Sequence, residues 1–233
     1  NTIVWVKGEG VVLNEPSVVA RNVIDDKIIA VGDEAKQMVG RTHQGIETII
    51  PLKDGVIADY KMTDAMIQGF MRKIKRSRIS RPSIVICIPS GVTDVEQRSV
   101  KESAEHANAR DVFLIEEPMA AAIGIGLDVS KPVGNMIVDI GGGTTEIAVI
   151  SLNGIGALET IKIAGDEQTS AIIEWFKTQH KLGVGERTAE DIKCNVGSAT
   201  RSKGSNISVK GQDLITGIPK TIEISSDEIR QAL

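Results

Sequence analysis

The chain is short of most residues that announce a specialised chemistry. Among its 233 residues are two cysteines, Cys87 and Cys194, far apart in sequence. No disulfide framework follows from such a pair, and with Cys87 set in an apolar strand pattern the expectation is buried free thiols in a reducing compartment. The three histidines, His43, His106 and His180, are scattered, so neither a metal cluster nor a Ser/His/Asp arrangement can be built on them. Aromatic residues make up only 3%, too few for a base-stacking surface, and a net charge of −4 gives no reason to bind nucleic acid. No apolar run approaches the length of a membrane span, and no signal peptide is visible. The dipeptide Gly-Lys is absent, which excludes a Walker A loop, and Gly124-Ile125-Gly126 lacks the third glycine of a dinucleotide fingerprint. What remains is an ordinary globular composition, long enough for one large domain or two small ones.

One stretch stands out against this background: Asp139-Ile140-Gly141-Gly142-Gly143-Thr144-Thr145-Glu146. Apolar Met136 to Val138 lead into it and Ile147 to Ile150 follow, which predicts two strands joined by a tight turn. Three consecutive glycines let the backbone take positive φ and approach a ligand closely. Their N–H groups can converge on an anion such as a phosphate. Asp139 places a carboxylate beside the turn, where a phosphate-bound Mg²⁺ needs an oxygen partner, directly or through water. The bland alternative is a glycine-rich hairpin with an exposed aspartate.

Around this stretch the pattern alternates between strand and helix. Residues 3–6 and 10–13 read as a hairpin, 17–20 and 28–31 as strands, 33–39 as a short helix, and 41–60 as strand and loop. Thr63 is the expected N-cap of a helix with the apolar stripe Met66, Ile67, Phe70, Met71 and Ile74. That helix ends in a basic cluster, Arg72, Lys73, Lys75, Arg76, Arg78 and Arg81, which reads either as a solvated end complementing the helix dipole or as a contact for an anionic membrane. Ile84 to Ile88 predicts a strand buried on both faces. Thr93 and Glu96 form a capping-box pattern for a helix to about Ala109. Val112 to Ile115 is the next strand, and a small-residue helix follows from Met119 to about Gly126. This order makes α/β the expected class. Beyond the glycine turn, 155–163 reads as strand, Ala171 to Phe176 and Glu186 to Val196 as helices, 206–224 as a small β-rich part, and Ser226 as the cap of a last helix.

Glu116-Glu117 falls at the C-terminal end of a predicted strand, where open α/β sheets bind ligands. A carboxylate there can orient or deprotonate a water attacking a γ-phosphate. Taken singly, acidic residues in a helix's first turn are explained by its dipole. Taken with the Asp139 turn, they point to a phosphate site.

Several segments resemble the MreB family of bacterial actin homologues. They are Phe113-Leu114-Ile115-Glu116-Glu117-Pro118-Met119-Ala120-Ala121-Ala122-Ile123-Gly124, the octapeptide from Asp139 to Glu146, Asn14 to Ala20, Lys53 to Asp59, Ile88 to Thr93 and Gly185 to Lys193. The likeness runs the length of the chain. It implies an actin-like (ribonuclease H-like) α/β fold with two domains, here 1–122 with a small subdomain at about 20–60, and 123–233 with a small subdomain at about 170–233. It implies a nucleotide in the cleft between them, ATP with Mg²⁺, and filaments beneath the inner membrane that guide wall synthesis and maintain rod shape.

The resemblance also implies roles for particular residues. Gly141, Gly142, Gly143 and Thr144 would contact phosphates, Asp139 would serve the metal, and Glu117 would position the hydrolytic water, which makes Glu117 and Asp139 the expected catalytic pair. Glu190, Asp191, Ile192 and Lys193 would lie against the nucleoside. The family's first phosphate loop is represented only by Asn1 and Thr2, and a second glycine-rich nucleotide segment is missing, so the chain is expected to be truncated at both ends, to bind ATP weakly and to hydrolyse almost none. The family usually has an aspartate where this chain has Thr169, after Gly165-Asp166-Glu167-Gln168. Expected partners are further copies, paired as antiparallel filaments through the helix at 93–109, the cell-wall elongation machinery, and the inner face of the membrane, reached from the cytoplasm through the loop Arg78 to Pro82. A DnaK-type chaperone and a sugar kinase share the fold and are the alternatives. The short stretch between Asp139 and Glu190 favours the actin-like reading over the chaperone.

Overall fold

A computed structural model describes residues 1–40, 45–53, 56–74, 81–200 and 206–233. The chain forms two compact units. One comprises Asn1–Asp139 with Glu146–Thr160, the other Ile140–Thr145 with Ile161–Leu233.

The first unit begins with the expected hairpin, β1 (Thr2–Val6) and β2 (Gly10–Glu15), paired antiparallel with an irregularity between Val4 and Trp5. Then β3 (Val19–Asn22) pairs on its two sides with β4 (Ile28–Val31) and β5 (Ile46–Ile49). A short helix α1 (Asp33–Met38) lies between β4 and β5 in sequence, and β6 (Leu52–Lys53) and β7 (Val56–Ile57) make a small ladder. Helix α2 (Tyr60–Ile74) buries Met62, Met66 and Phe70 against Leu13, Val19 and Val31. Gly69 lets it come close: a Cβ there would meet Val31 Cγ2 at 2.8 Å.

The cap of α2 differs from expectation. Asp59 Oδ1 accepts the Met62 N–H at 3.0 Å, so Asp59 does the capping. Thr63 lies within the first turn, 2% exposed, and its hydroxyl donates to the Asp59 carbonyl. The polar residue nearest the apolar stripe was the wrong one because the helix starts a turn earlier.

Next come β8 (Ser83–Ile88), α3 (Asp94–His106), β9 (Asp111–Glu116) and α4 (Glu117–Gly124). β8 and β9 are parallel, in register from Ser83↔Asp111 to Ile88↔Glu116. The capping box on α3 is present in both directions: Thr93 Oγ1 accepts from Glu96 N, and Glu96 Oε2 accepts from Thr93 N. The strand at 84–88 is not buried on both faces: Val85 is 63% exposed, and burial alternates along it. An unbroken apolar run does not report whether both faces are covered. Cys87, on that open face, and Cys194 are both exposed, contrary to the expectation of buried thiols. The unit closes with β10 (Asn135–Ile140), β11 (Thr145–Ser151) and β12 (Gly154–Ile161), neighbours in that order, and these strands pass through the division between the units.

The second unit holds α5 (Gly165–His180), β13 (Leu182–Gly183), α6 (Glu186–Val196), β14 (Asn206–Asp213), β15 (Pro219–Ser225) and α7 (Ser226–Ala232). Its core gathers Ile172, Phe176, Leu182, Ile192, Val209, Ile224 and Ile229 from all of these elements. The α7 cap is Ser225 rather than Ser226: its hydroxyl accepts from Glu228 N, and Ser226 is the buried first helical residue.

Of the basic cluster after α2, Lys75, Arg76 and Arg78 lie outside the described residues, as do Ile79 and Ser80 of the loop expected to touch membranes. Lys73 is not a solvated charge: its ammonium bonds Glu15 Oε2 at 2.6 Å and the Val31 carbonyl at 3.0 Å.

Candidate functional site

The glycine turn belongs to the second unit, which holds it from behind. Gly141 N–H closes the turn on the Thr144 carbonyl at 2.9 Å. The carbonyls of Gly141 and Gly142 accept from the N–H groups of Gly165 and Asp166, the first two residues of α5, at 3.2 and 2.8 Å. Thr145 Oγ1 donates to the Ile163 carbonyl at 2.7 Å. With the carbonyls engaged on one side, the amides of Gly142, Gly143 and Thr144 make none of these bonds and stand as three consecutive donors.

None of the three glycines takes a positive φ, which corrects the expectation of left-handed backbone. Glycine matters here for close approach. A Cβ on Gly141 would sit 3.3 Å from the Thr144 carbonyl, and one on Gly165 would meet the Lys193 ammonium at 3.2 Å and the Gly141 carbonyl at 3.3 Å.

The segment Glu190 to Lys193 lies on α6. Lys193 Nζ bonds Glu190 Oε2 at 2.7 Å, the Gly165 carbonyl at 2.8 Å and Thr169 Oγ1 at 3.0 Å. Burial acts to raise the Glu190 carboxyl, but the bonds from Lys193 and Thr169 outweigh it and hold it below its ordinary value. Asp191 is exposed, and Ile192, 2% exposed, is a core residue that offers no surface to a ligand. Beside Lys193 opens a cavity of about 460 Å³, with Gln168, Ser198 and Arg230 in its lining. That size is within the range of small-ligand sites.

The first unit carries the carboxylates. Glu117 is the first residue of α4, directly after β9, and is half-buried. Burial, then the charges of Glu146 and Asp139, push its carboxyl up from 4.5 to about 7. Asp139 comes near the end of β10. The thiol of Cys87 at the end of β8 is likewise raised, by local desolvation and by Glu117 and Asp139. The parallel pair β8–β9 thus brings Cys87 and Glu117 to one end of their sheet, while Asp139 stands on the separate sheet β10–β11–β12. Asn1 is exposed, and Thr2 shares a hydrogen bond with Ser17 at 2.9 Å on the β1–β2 hairpin.

Glu146 had no role in the sequence reading. It is 1% exposed, with Oε1 accepting from Ser90 N at 2.9 Å, while Oε2 is buried without a partner. The signal available was its place at the end of the glycine octapeptide, one step into a strand.

The family model described as MreB/Mbl protein matches residues 1–233. The cell shape-determining protein Mbl of Bacillus subtilis is 48% identical over the whole chain, which spans 71% of that relative. The cell shape-determining protein MreB of Escherichia coli is 49% identical, again over the whole chain and 69% of the relative. Among solved structures, MreB5 of Spiroplasma citri bound to AMPPNP superposes with a TM-score of 0.91 at 37% identity, covering 99% of this chain and 70% of that one. The α/β units, the glycine turn and these matches lead to one conclusion: the chain belongs to the MreB/Mbl protein family and has its actin-like fold.

Proposed function

We propose that the full-length protein binds ATP with Mg²⁺ at the glycine turn, hydrolyses it slowly, and assembles into filaments that determine cell shape. The observation that carries the reading is the turn itself, in which the Gly141, Gly142 and Thr144 carbonyls are bonded and three consecutive amides are left as donors. Backbone amides so arranged form an anion cradle that costs no rearrangement on binding. Relatives point the same way: the Spiroplasma homologue was crystallised with AMPPNP, and the Bacillus and Escherichia proteins are named for determining cell shape.

The residues fit each part of the task. Mg²⁺ is commonly held by one or two carboxylates together with substrate phosphates and water, and Asp139 offers such a carboxylate. When bound, the ion would neutralise charge on the phosphate oxygens. Glu117, with its proton affinity raised to about 7, can orient a water and accept its proton near neutral pH. Thr144 adds a hydroxyl donor to the amide cradle, and the Glu190–Lys193 end of α6, beside the cavity, is on the nucleoside side.

For assembly, α3 presents Val95 at 75% exposure while burying Val100, Ser103 and Ala104. An apolar side chain on the outer face of a helix suits antiparallel pairing of filaments. The polymer works in the cytoplasm, at the inner face of the membrane, alongside the wall-elongation machinery. With Lys73 engaged internally, membrane contact depends on the remaining basic residues and on filament avidity. Co-sedimentation with anionic liposomes should therefore fall steeply with salt, and equal binding to neutral liposomes would rule out this contact.

The deciding experiment is titration with a fluorescent ATP analogue and Mg²⁺, followed by pelleting. Saturable binding displaced by ATP, with nucleotide-dependent pelleting, supports the reading. Peptide binding controlled by nucleotide, without polymer, would replace it with a chaperone.

A further inference from the structure

Thr169, where the resemblance implies an aspartate, is 4% exposed, and its hydroxyl is hydrogen-bonded on two sides. Its hydroxyl lies 2.5 Å from Glu190 Oε2 and 3.0 Å from Lys193 Nζ. The direction of each bond is fixed by charge. An ammonium only donates and an ionised carboxylate only accepts. The hydroxyl therefore gives its single proton to Glu190 and receives one from Lys193. The Gly165 carbonyl, 3.0 Å from the same hydroxyl, is then served by Lys193 at 2.8 Å.

Two consequences follow. All three protons of the Lys193 ammonium have acceptors within the second unit: Glu190 Oε2, Thr169 Oγ1 and the Gly165 carbonyl. The far side of Gly165 is its N–H, which bonds the Gly141 carbonyl of the turn. A continuous line of bonds thus runs from Thr169 through Lys193 to Gly165, and from Gly165 to the turn.

We infer that Thr169 and Lys193 are positioning residues, which fix the phosphate turn through Gly165 and spend no proton on the nucleotide. The inference rests on the nucleotide reading above for its functional meaning, and on this bond network for its physical content. The hydroxyl serves as an acceptor for Lys193 and adds no charge to the pair of one carboxylate and one ammonium.

The test compares Thr169→Val, which keeps the shape and loses the hydroxyl, with Thr169→Ser, which keeps the hydroxyl. Two readouts are taken on the whole chain: amide hydrogen exchange at Gly165 and Asp166 without nucleotide, and affinity for a fluorescent ATP analogue with Mg²⁺. Thr169→Val should speed exchange and weaken affinity by about tenfold, the scale of one charge-assisted bond. Thr169→Ser should restore both. In the background of Lys193→Met, Thr169→Val should add little, because the two act along one chain of bonds. Unchanged exchange in Thr169→Val, failure of serine to restore it, or strict additivity with Lys193→Met would overturn the inference. A wild-type chain with the expected exchange pattern and no ATP binding would overturn the nucleotide reading and leave the anchoring of the turn supported.

Discussion

Replacing Glu117 by glutamine should make the protein more stable above neutral pH, although it removes the residue assigned to the hydrolytic water. The carboxyl of Glu117 is pushed from 4.5 to about 7 by burial and by the negative charges of Glu146 and Asp139. Between those values the folded protein binds a proton that the unfolded chain has released. Stability therefore falls as pH rises through this window, reaches its full penalty above about 7, and is unaffected below about 4.5, where both states are protonated. The difference corresponds to about 3 kcal/mol before screening. Glu117 is only half-buried, so solvent screening reduces this to about 1–2 kcal/mol. Glutamine keeps the shape and removes the charge. Urea unfolding at pH 5, 6, 7 and 8 is the assay, read as the difference between wild type and variant so that other titrating groups cancel. The variant should nearly match wild type at pH 5, gain through pH 6 and 7, and level off by pH 8. Hydrolysis by the wild type should show the opposite slope, rising with pH as the base is freed. A constant difference at every pH would refute the account, because it would mean that Glu117 is ionised normally in the fold.

The roles assigned to the site separate in two variants: Glu117→Ala should abolish hydrolysis and leave ATP affinity nearly intact, whereas Thr144→Ala should weaken binding by about 1.5 kcal/mol, read by titration with labelled nucleotide. Equal loss of binding and rate in Glu117→Ala would deny its assignment to water. Val95→Glu on α3 in the full-length protein should leave single filaments forming while preventing their pairing, and unchanged double filaments in electron micrographs would reject that face. Phe176→Ala, in the core of the second unit beside Trp175 at a ring distance of 5.2 Å, should cost about 3–5 kcal/mol in urea unfolding, and a loss under about 1 kcal/mol would show that this core is loosely packed.

The sequence by itself determined the local elements whose causes are local. The capping box of α3 is written in Thr93 and Glu96, the β1–β2 hairpin in Lys7 to Gly10, and the strand–turn–strand around Gly141 to Gly143 in the glycines and their apolar flanks. It also determined the family, since the motifs that carry the likeness are contiguous. Tertiary structure decided whatever depends on neighbours distant in sequence. Burial of a strand face depends on what packs on it, so Val85 and Cys87 are exposed despite an unbroken apolar run. Asp59 rather than Thr63 caps α2 because the helix begins where its backbone first closes, not where its apolar stripe begins. The proton affinity of Glu117 depends on Asp139 and Glu146, which only the folded chain brings near it. The role of Thr169 is set by α6, which lays Glu190 and Lys193 across it. Charge, burial and hydrogen bonding act through space, and a sequence orders residues only along the chain.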